Sequence, residues 1–501
     1  YSKEEWKQKA RKCLEKMVIY PKTYRKLFED TIEWLRERPC ARKRGIGTRL
    51  PFDPEWIIES LSDSTIYMAF YTVIHHIRNN KIDPSKLSYE FWDYVFLGNG
   101  TPEDVSKKTG IPTDLLKKMH EEFEYWYPVD QRHTAPAHIT NHLTFFIFHH
   151  VAIFPEDKWP KKITLNELVI KEGRKMSKSY GNVIPLVDIA RKYSSDLYRL
   201  YVAYAADLPT TMDWREKEVA VTMRRLQQFW NLVNEILEMP EEKLELENIS
   251  SISRWLLSKI NTTIRDVTQF YEELRFRDAI IQSFFELMHH IDFYRKIMKD
   301  GDKKEEAAVL RYVLDIWLRL LAPVIPHICE EIWHKLGNEG FISTESWPVA
   351  DEKLIDEKIE TSVDVVLQTI SDIKEILSLI RDQKPSTAYI YIAPEWKYQV
   401  FRKIAESNVP LTVKSLMPLL MKDEKLRKFA KGVQQIVQRI VKAGKLWKFA
   451  DPQVEFDVFQ KFAEYIARET GLEKAIIERA EEAKHSKAEQ ALPGRPAILL
   501  T

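Results

Sequence analysis

The stretch "GRKMSKSYGNV", residues 173–183, sets Arg174, Lys175 and Lys178 between Gly173 and Gly181 and adds the hydroxyls of Ser177 and Ser179. It is too polar for a core, and glycine near both ends gives the backbone the freedom of a short loop. Lysine ammonium groups on such a loop act as mobile point charges, and N–H groups beside glycine add donors. That combination suits the gripping of a phosphate chain. Phosphoryl and nucleotidyl transfer gain mainly from positioning and electrostatics, so lysines on a closing loop can stabilise a departing pyrophosphate. A solvated basic turn is the plain alternative for a K-x-x-K pattern.

Immediately upstream, "KKITLNELVIKEG" at 161–173 carries Ile163, Leu165, Leu168 and Ile170 and predicts a hairpin feeding the loop. Residues 142–154, "HLTFFIFHHVAIF", are almost continuously apolar and predict a buried element beneath a site. "CARKRGIGTRLPFDPEW" at 40–56 is punctuated by Gly and Pro and reads as a loop. Residues 99–125 read as a small helical insertion, with Thr101 as an N-cap and Asp104 at the third helical position. Downstream, apolar residues recur at helical spacing through "TMRRLQQFWNLVNEIL" and "SRWLLSKINTTIRDV" and predict an antiparallel bundle. Pro323 and Pro326 break its last long segment. Near the C-terminus, "STAYIYIAPEW" alternates like a strand and "KFAKGVQQIVQRIVKAGKLWKFA" reads as a basic helix, which together predict a smaller α/β module.

The 501 residues exceed one ordinary domain and imply three or four. Lys and Arg (76) balance Asp and Glu (75), so net charge implies no polyanion partner and any basic surface must be local. Cys13, Cys40 and Cys329 show no C-x-x-C pairing, which argues against a disulfide framework or a cysteine-based zinc site and fits a reducing interior. Without a bilayer-length apolar run or a signal peptide, the expected location is cytoplasmic.

Several polar groups are candidates for chemistry. His138 and His142 stand four apart in "AHITNHL". Two imidazoles on one helical face can bind a metal, but no third ligand or H-E-x-x-H pattern accompanies them, so no metal site is predicted. The doublets His75-His76, His149-His150 and His289-His290 read as helix-surface or core-edge residues. Ser64 and Tyr67, three apart, share a helical face, as a pocket pair or as a packed tyrosine beside a cap. Arg42, Lys43 and Arg44 precede two glycines and form either a nucleic-acid phosphate contact or a solvated sheet edge. Lys431, Arg439 and Lys442 fall near one polar side of their helix, an RNA-facing stripe or a solvated face.

Lys-Met-Ser-Lys-Ser at 175–179 matches the signature loop of the class I aminoacyl-tRNA synthetases without a mismatch. "FDPEWIIESLSDSTIYMAFY", "NHLTFFIFHHVAIF", "DLYRLYVAYAADLPTTMDW", "LAPVIPHICEEIW" and the ending "ALPGRPAILL" resemble the leucyl-tRNA synthetase family of the archaeal and eukaryotic-cytosolic type. The resemblance implies a multidomain α/β plus all-α chain. Residues 1–155 would hold the second half of a Rossmann-type catalytic domain with a helical insertion near 99–125, and 156–215 the signature loop and stem-contact region. Residues 216–350 would form a helical bundle of the anticodon-binding type, and 351–501 a C-terminal tRNA-binding domain.

The same resemblance implies that Lys175 and Lys178, with Ser177 and Ser179, hold ATP phosphates while leucine's carboxylate attacks the α-phosphate. Met176 would seat the loop, and Ser64, Tyr67, His138 and His142 would line the leucine and adenylate pocket. ATP and Mg²⁺, leucine and tRNA-Leu are the implied ligands. Arg42, Lys43 and Arg44 would meet the acceptor end, and Lys431, Arg439 and Lys442 the tRNA elsewhere. Two departures stand out. Ala137 sits where many members carry an acidic residue that bonds a ribose hydroxyl, and Arg132 replaces a frequent aromatic. No glycine is bracketed as H-x-G-H, the second signature of the class. The chain is therefore expected to be a C-terminal portion or subunit that lacks the H-x-G-H half and the editing insertion. It should be inactive without them, whether they lie in the same or a separate chain. A non-catalytic tRNA-binding protein, or an enzyme for isoleucine, valine or methionine, are the alternatives.

Overall fold

The strand Val18–Tyr20 pairs in parallel with Lys162–Leu165, which pairs in parallel with Arg132–Thr134 on its other side. The computed structural model that gives this pairing describes residues 1–37, 40–380 and 385–501. It divides into two compact units, 1–192 with 201–219, and 193–200 with 220–501.

In the first unit the parallel strands are too short to be stable alone and are joined by long helical crossovers, as parallel pairing requires. Ile19, Ile163 and Leu165 share a core with Phe28 and Ile32 of helix Arg25–Trp34 and with helix Thr144–Ile153. That last helix buries Phe145 to Phe148, His150 and Val151, so the apolar run at 142–154 is a buried element.

Two expectations change. The hairpin read across 161–173 divides between two sheets. Lys162–Leu165 joins the parallel sheet, and Val169–Lys171 turns back on Arg174–Lys175 with Met212–Trp214 parallel on its far side. The division falls where Leu168 is exposed and the amide of Glu167 is taken by the Leu208 carbonyl, so alternation does not run through. The segment 40–56 is only partly a loop: Asp53–Ile58 pairs antiparallel with Ala41–Arg42 and with Arg49–Leu50, and residues 43–48 form the connection between those two short strands. Gly47 allows the close approach: a Cβ there would lie 2.6 Å from Ile57 Cγ2.

A helical module of Tyr67–Asn79, Tyr89–Leu97, Pro102–Thr109 and Thr113–Trp126 has its own core of Val73, Ile77, Phe91, Val95, Leu116 and Met119. Thr101 caps its third helix as read from sequence, accepting from the Asp104 amide at 3.2 Å while donating to the Asp104 carboxylate at 2.8 Å.

The second unit contains the expected bundle. Ser251–Glu272, Leu287–Ile297, Lys303–Leu321 and Pro326–Lys335 surround a core in which Phe229, Phe284 and Trp317 make edge and tilted ring contacts. The proline break is real: one helix ends at Leu321 and the next opens on Pro326. Asp196, 2% exposed, supplies the missing cap, accepting from the Ile328 amide at 2.7 Å and from His327 Nδ1 at 2.7 Å. The C-terminal module centres on Thr387–Ile392, parallel to Lys474–Arg479 and antiparallel to Ala497–Leu500. Helices Glu357–Leu379 and Pro452–Thr470 accompany it. No helix among the described residues is long and apolar enough to cross a membrane. Cys13 and Cys329 are buried thiols, and burial pushes Cys13 up to about 12.

Candidate functional site

The loop 173–183 begins as a two-residue turn. Ile170 faces Lys175 and Lys171 faces Arg174, while Glu172 and Gly173 both take positive φ (47° and 75°), the conformation favoured by tight hairpin turns. Asp213, on the adjoining strand, accepts from the Gly173 amide at 3.0 Å and from Arg215 Nε at 2.8 Å. Burial alone would raise the Asp213 carboxyl, but these two donors hold it below the ordinary carboxylate range.

Past the turn, Ser177 Oγ accepts from the Ser179 amide at 3.3 Å and lies 2.7 Å from Ser179 Oγ, opening the short turn Lys178–Tyr180. Asn182 then folds back. Its Oδ1 accepts from the Ser177 amide at 2.8 Å and its Nδ2 donates to the Lys175 carbonyl at 3.0 Å. Met176 and Ser177 become half-buried and Lys175, Lys178 and Ser179 remain exposed. Asn182 had no assigned role in the sequence; its presence at the end of a Gly-containing turn was the available signal.

A second group forms around Arg132. Its Nη1 donates to the Tyr67 hydroxyl at 2.5 Å and its Nη2 to His142 Nε2 at 3.1 Å, with the guanidinium carbon 5.3 Å from the Tyr67 ring centre. A guanidinium offers only donors, so His142 Nε2 accepts and its Nδ1 carries the proton. That Nδ1–H points to Ser64 Oγ at 3.3 Å, and Ser64 donates onward to the Ser60 carbonyl at 2.6 Å. Burial first, and Arg132 second, push the His142 imidazole below its ordinary value, which keeps it neutral. Arg132 Nε is buried without a hydrogen-bond partner.

Ser64, Tyr67 and His142 meet around Arg132, but Ser64 and Tyr67 do not share a helical face as their spacing suggests: helix Ser60–Asp63 ends before Ser64 and the next begins at Tyr67. His138 lies beside them, its ring centre 6.3 Å from that of His142 and nearly perpendicular. The pair does not share an α-helical face: Pro136–His138 is a 3₁₀ turn and Ile139–Leu143 a π turn, a form often found at functional sites. Ala137 is exposed and supplies no polar group. Arg132, noted in the sequence only as a departure, is the centre of the cluster. The loop and this cluster share no hydrogen bond among the described residues.

The basic candidates separate. Lys43 and Arg44 are exposed in the connection between strands Ala41–Arg42 and Arg49–Leu50, Lys43 Nζ lying 4.8 Å from the Trp56 ring centre. Arg42 is held closer, donating to the Ile46 carbonyl at 3.1 Å. On helix Ala430–Ala443 the buried face is Val433, Ile436, Val437 and Ile440, and Lys431, Arg439 and Lys442 point away from it. Arg439 and Lys442, with Lys487 and Arg495, line a cleft of about 620 Å³; Lys431 is not part of its wall.

Comparison with known proteins agrees with this architecture. Residues 2–215 match the family described as tRNA synthetases class I (I, L, M and V), and residues 253–390 match the anticodon-binding domain of tRNA ligase. Over residues 2–215 the chain is thus similar to the class I tRNA synthetases. Within that class it is similar to leucine–tRNA ligases. The one from Pyrococcus abyssi is 44% identical over 508 aligned positions, which cover 100% of this chain and 52% of that protein. Those from Staphylothermus marinus and Methanocaldococcus jannaschii are 44% and 39% identical, again over 100% of this chain and 51% of theirs. The chain spans about half the length of the curated relatives it matches. A solved ternary complex of leucyl-tRNA synthetase with tRNA from Agrobacterium radiobacter K84 overlaps 64% of this chain and 38% of that one, at 19% identity and a TM-score of 0.45.

Proposed function

We propose that this chain is the C-terminal portion of a leucine–tRNA ligase acting in the cytoplasm, in which ATP activates leucine and leucine is passed to tRNA-Leu. One observation carries the activation step: Lys175 and Lys178 stand exposed on a loop whose backbone Asn182 and Asp213 hold in shape. As leucine's carboxylate attacks the α-phosphate, the bond to the leaving pyrophosphate breaks, and the two ammonium groups offset the charge that builds there. Ser177 and Ser179 add hydroxyl donors, and Met176 seats the loop. Mg²⁺ enters with the phosphates of ATP. Residues 173–183 contain no carboxylate, which fits a loop that meets phosphate oxygens and leaves the ion to the nucleotide.

Ser64, Tyr67, His138, His142 and Arg132 would border leucine and the adenylate, with neutral His142 as a positioned group and Arg132 facing a carboxylate or phosphate oxygen. Residues 1–155 and 156–215 would serve the catalytic half, 216–350 the tRNA body, and 351–501 a further tRNA contact through the cleft at Arg439 and Lys442. Arg42, Lys43 and Arg44 would receive the acceptor end. No glycine of this sequence sits in an H-x-G-H pattern, so the histidines that oppose the lysines would come from another segment or chain, and activation would require it.

The test is leucine-dependent exchange of pyrophosphate into ATP, with this chain alone and with a polypeptide bearing H-x-G-H. Exchange only with the partner supports the proposal, and exchange by the chain alone overturns the requirement for a second half. The basic cleft by itself favours a second reading, tRNA binding without catalysis. Tight tRNA binding with no exchange under any pairing would select it.

A further inference from the structure

Consecutive residues on an α-helix point about 100° apart, so neighbouring histidines ordinarily diverge. His75 and His76 on Tyr67–Asn79 do not: their ring centres are 4.0 Å apart, and both Nε2 atoms turn toward one carboxylate. His76 Nε2 lies 2.5 Å from Glu122 Oε2 and His75 Nε2 lies 3.3 Å from Glu122 Oε1, the glutamate coming from helix Thr113–Trp126. The three ligand atoms fall within 4.8 Å of one another, and among the described residues no other group of three His, Cys, Asp or Glu converges in this way.

We propose that His75, His76 and Glu122 bind a divalent transition-metal ion of the zinc class, which ties helix Tyr67–Asn79 to helix Thr113–Trp126. Two imidazoles and a carboxylate are borderline ligands that favour Zn²⁺, Co²⁺ or Ni²⁺ over Mg²⁺ or Ca²⁺. Zinc bonds to such atoms run about 2.0–2.2 Å, and the partly exposed side chains of His75 and Glu122 have room to adjust toward an ion beside the buried His76. Without a metal, two neutral imidazoles can each donate to one carboxylate oxygen, His75 to Oε1 and His76 to Oε2; a metal would replace those two protons. A dication held by two neutral rings and one carboxylate satisfies all three groups.

The surroundings suit a fixed site with one open position. His76 is buried to 8% exposure, Glu122 is at 29%, and His75 at 45% leaves room for water as a fourth ligand. The Asn80 side chain donates to the His76 carbonyl at 2.9 Å, and Val73, Ile77, Leu116 and Met119 lock both helices in one core. The site uses none of the residues assigned to leucine, ATP or tRNA.

The test titrates the full chain with Co²⁺ and then competes with Zn²⁺. Expected are visible d–d bands at one equivalent, no sulfur-to-metal charge-transfer band, and loss of the bands to Zn²⁺. His75→Ala and Glu122→Gln should each weaken binding more than about tenfold, and Zn²⁺ should raise the melting temperature of the parent but not of the variants. His75 is half-exposed, so its variant should keep the parent's circular dichroism. A thiolate band would place the metal on cysteine and overturn the proposal. So would equal Co²⁺ affinity in parent and both variants, or no d–d bands at all.

Discussion

Arg132 donates to the Tyr67 hydroxyl at 2.5 Å, and from its other terminal nitrogen to His142 Nε2 at 3.1 Å. One guanidinium thereby fixes groups from helix Tyr67–Asn79 and from the π turn Ile139–Leu143, and it also sets the histidine tautomer. The planar fork can do this because its two outer nitrogens diverge rigidly; an ammonium has one point of attachment.

Arg132→Met keeps much of the length and removes both bonds. Hydrogen bonds from a charged donor contribute about 1.5–3 kcal/mol. The leucine KM in pyrophosphate exchange with the H-x-G-H half should therefore rise about ten- to hundredfold. Arg132→Lys should recover little of this. An unchanged leucine KM in both variants would take Arg132 out of the pocket.

Asn182 bridges Lys175 and Ser177 and so shapes the loop without offering a charge of its own. In Asn182→Ala, the maximal exchange rate should fall about ten- to hundredfold with leucine KM nearly constant, because the loss falls on the transition state. Asn182→Asp keeps the acceptor for Ser177 but not the donor for Lys175, and should fall between. A variant with normal rate and raised ATP KM would assign the bridge to ground-state binding instead.

His150 is fully buried, accepted by the Phe146 carbonyl through Nδ1 and in contact with the Tyr127 hydroxyl through Nε2 at 3.2 Å. Burial pushes its imidazole down to about 4. Below the ordinary value near about 6.5, the unfolded chain takes up a proton that the folded chain refuses. Stability contributed by neutral His150 is therefore complete above that value and is lost as pH falls toward 4, by about 3 kcal/mol. In His150→Gln this limb disappears: the gap between parent and variant in urea unfolding should narrow from about pH 7.5 to about pH 4.5. A constant gap would mean that His150 takes up its proton as readily in the fold as in the unfolded chain.

What could be read in advance follows from how local each signal is. The lysine loop and the cap Thr101 depend on neighbours within a few residues, so identity and spacing suffice. The helix Ala430–Ala443 is legible because one face is buried throughout. The parallel strands are only three or four residues long and pair across 144 residues on one side and 31 on the other, too short for periodicity to mark them. Arg132 gains its role from that pairing and from a π turn, which shifts His142 off the helical register that sequence spacing assumes. The convergence of His75 and His76 on Glu122 likewise depends on how two helices pack, and nothing in either local sequence announces it.

Arg439 and Lys442 share a cleft with Lys487 and Arg495, and Lys431 lies outside its wall on the same helix. All three of the helix residues are exposed, so reversing any one changes net charge equally. If tRNA is held in the cleft, Arg439→Glu with Lys442→Glu should weaken binding of tRNA-Leu at least tenfold at moderate salt, on the order of two lost phosphate contacts. The slope of log affinity against log salt should fall by about two in the double variant. Lys431→Glu should shift affinity only slightly and leave the slope unchanged, because a distant exposed charge acts through a screened field. Equal losses for Lys431→Glu and Arg439→Glu would mean that tRNA responds to the overall field of the module, and the cleft would lose its claim as the contact.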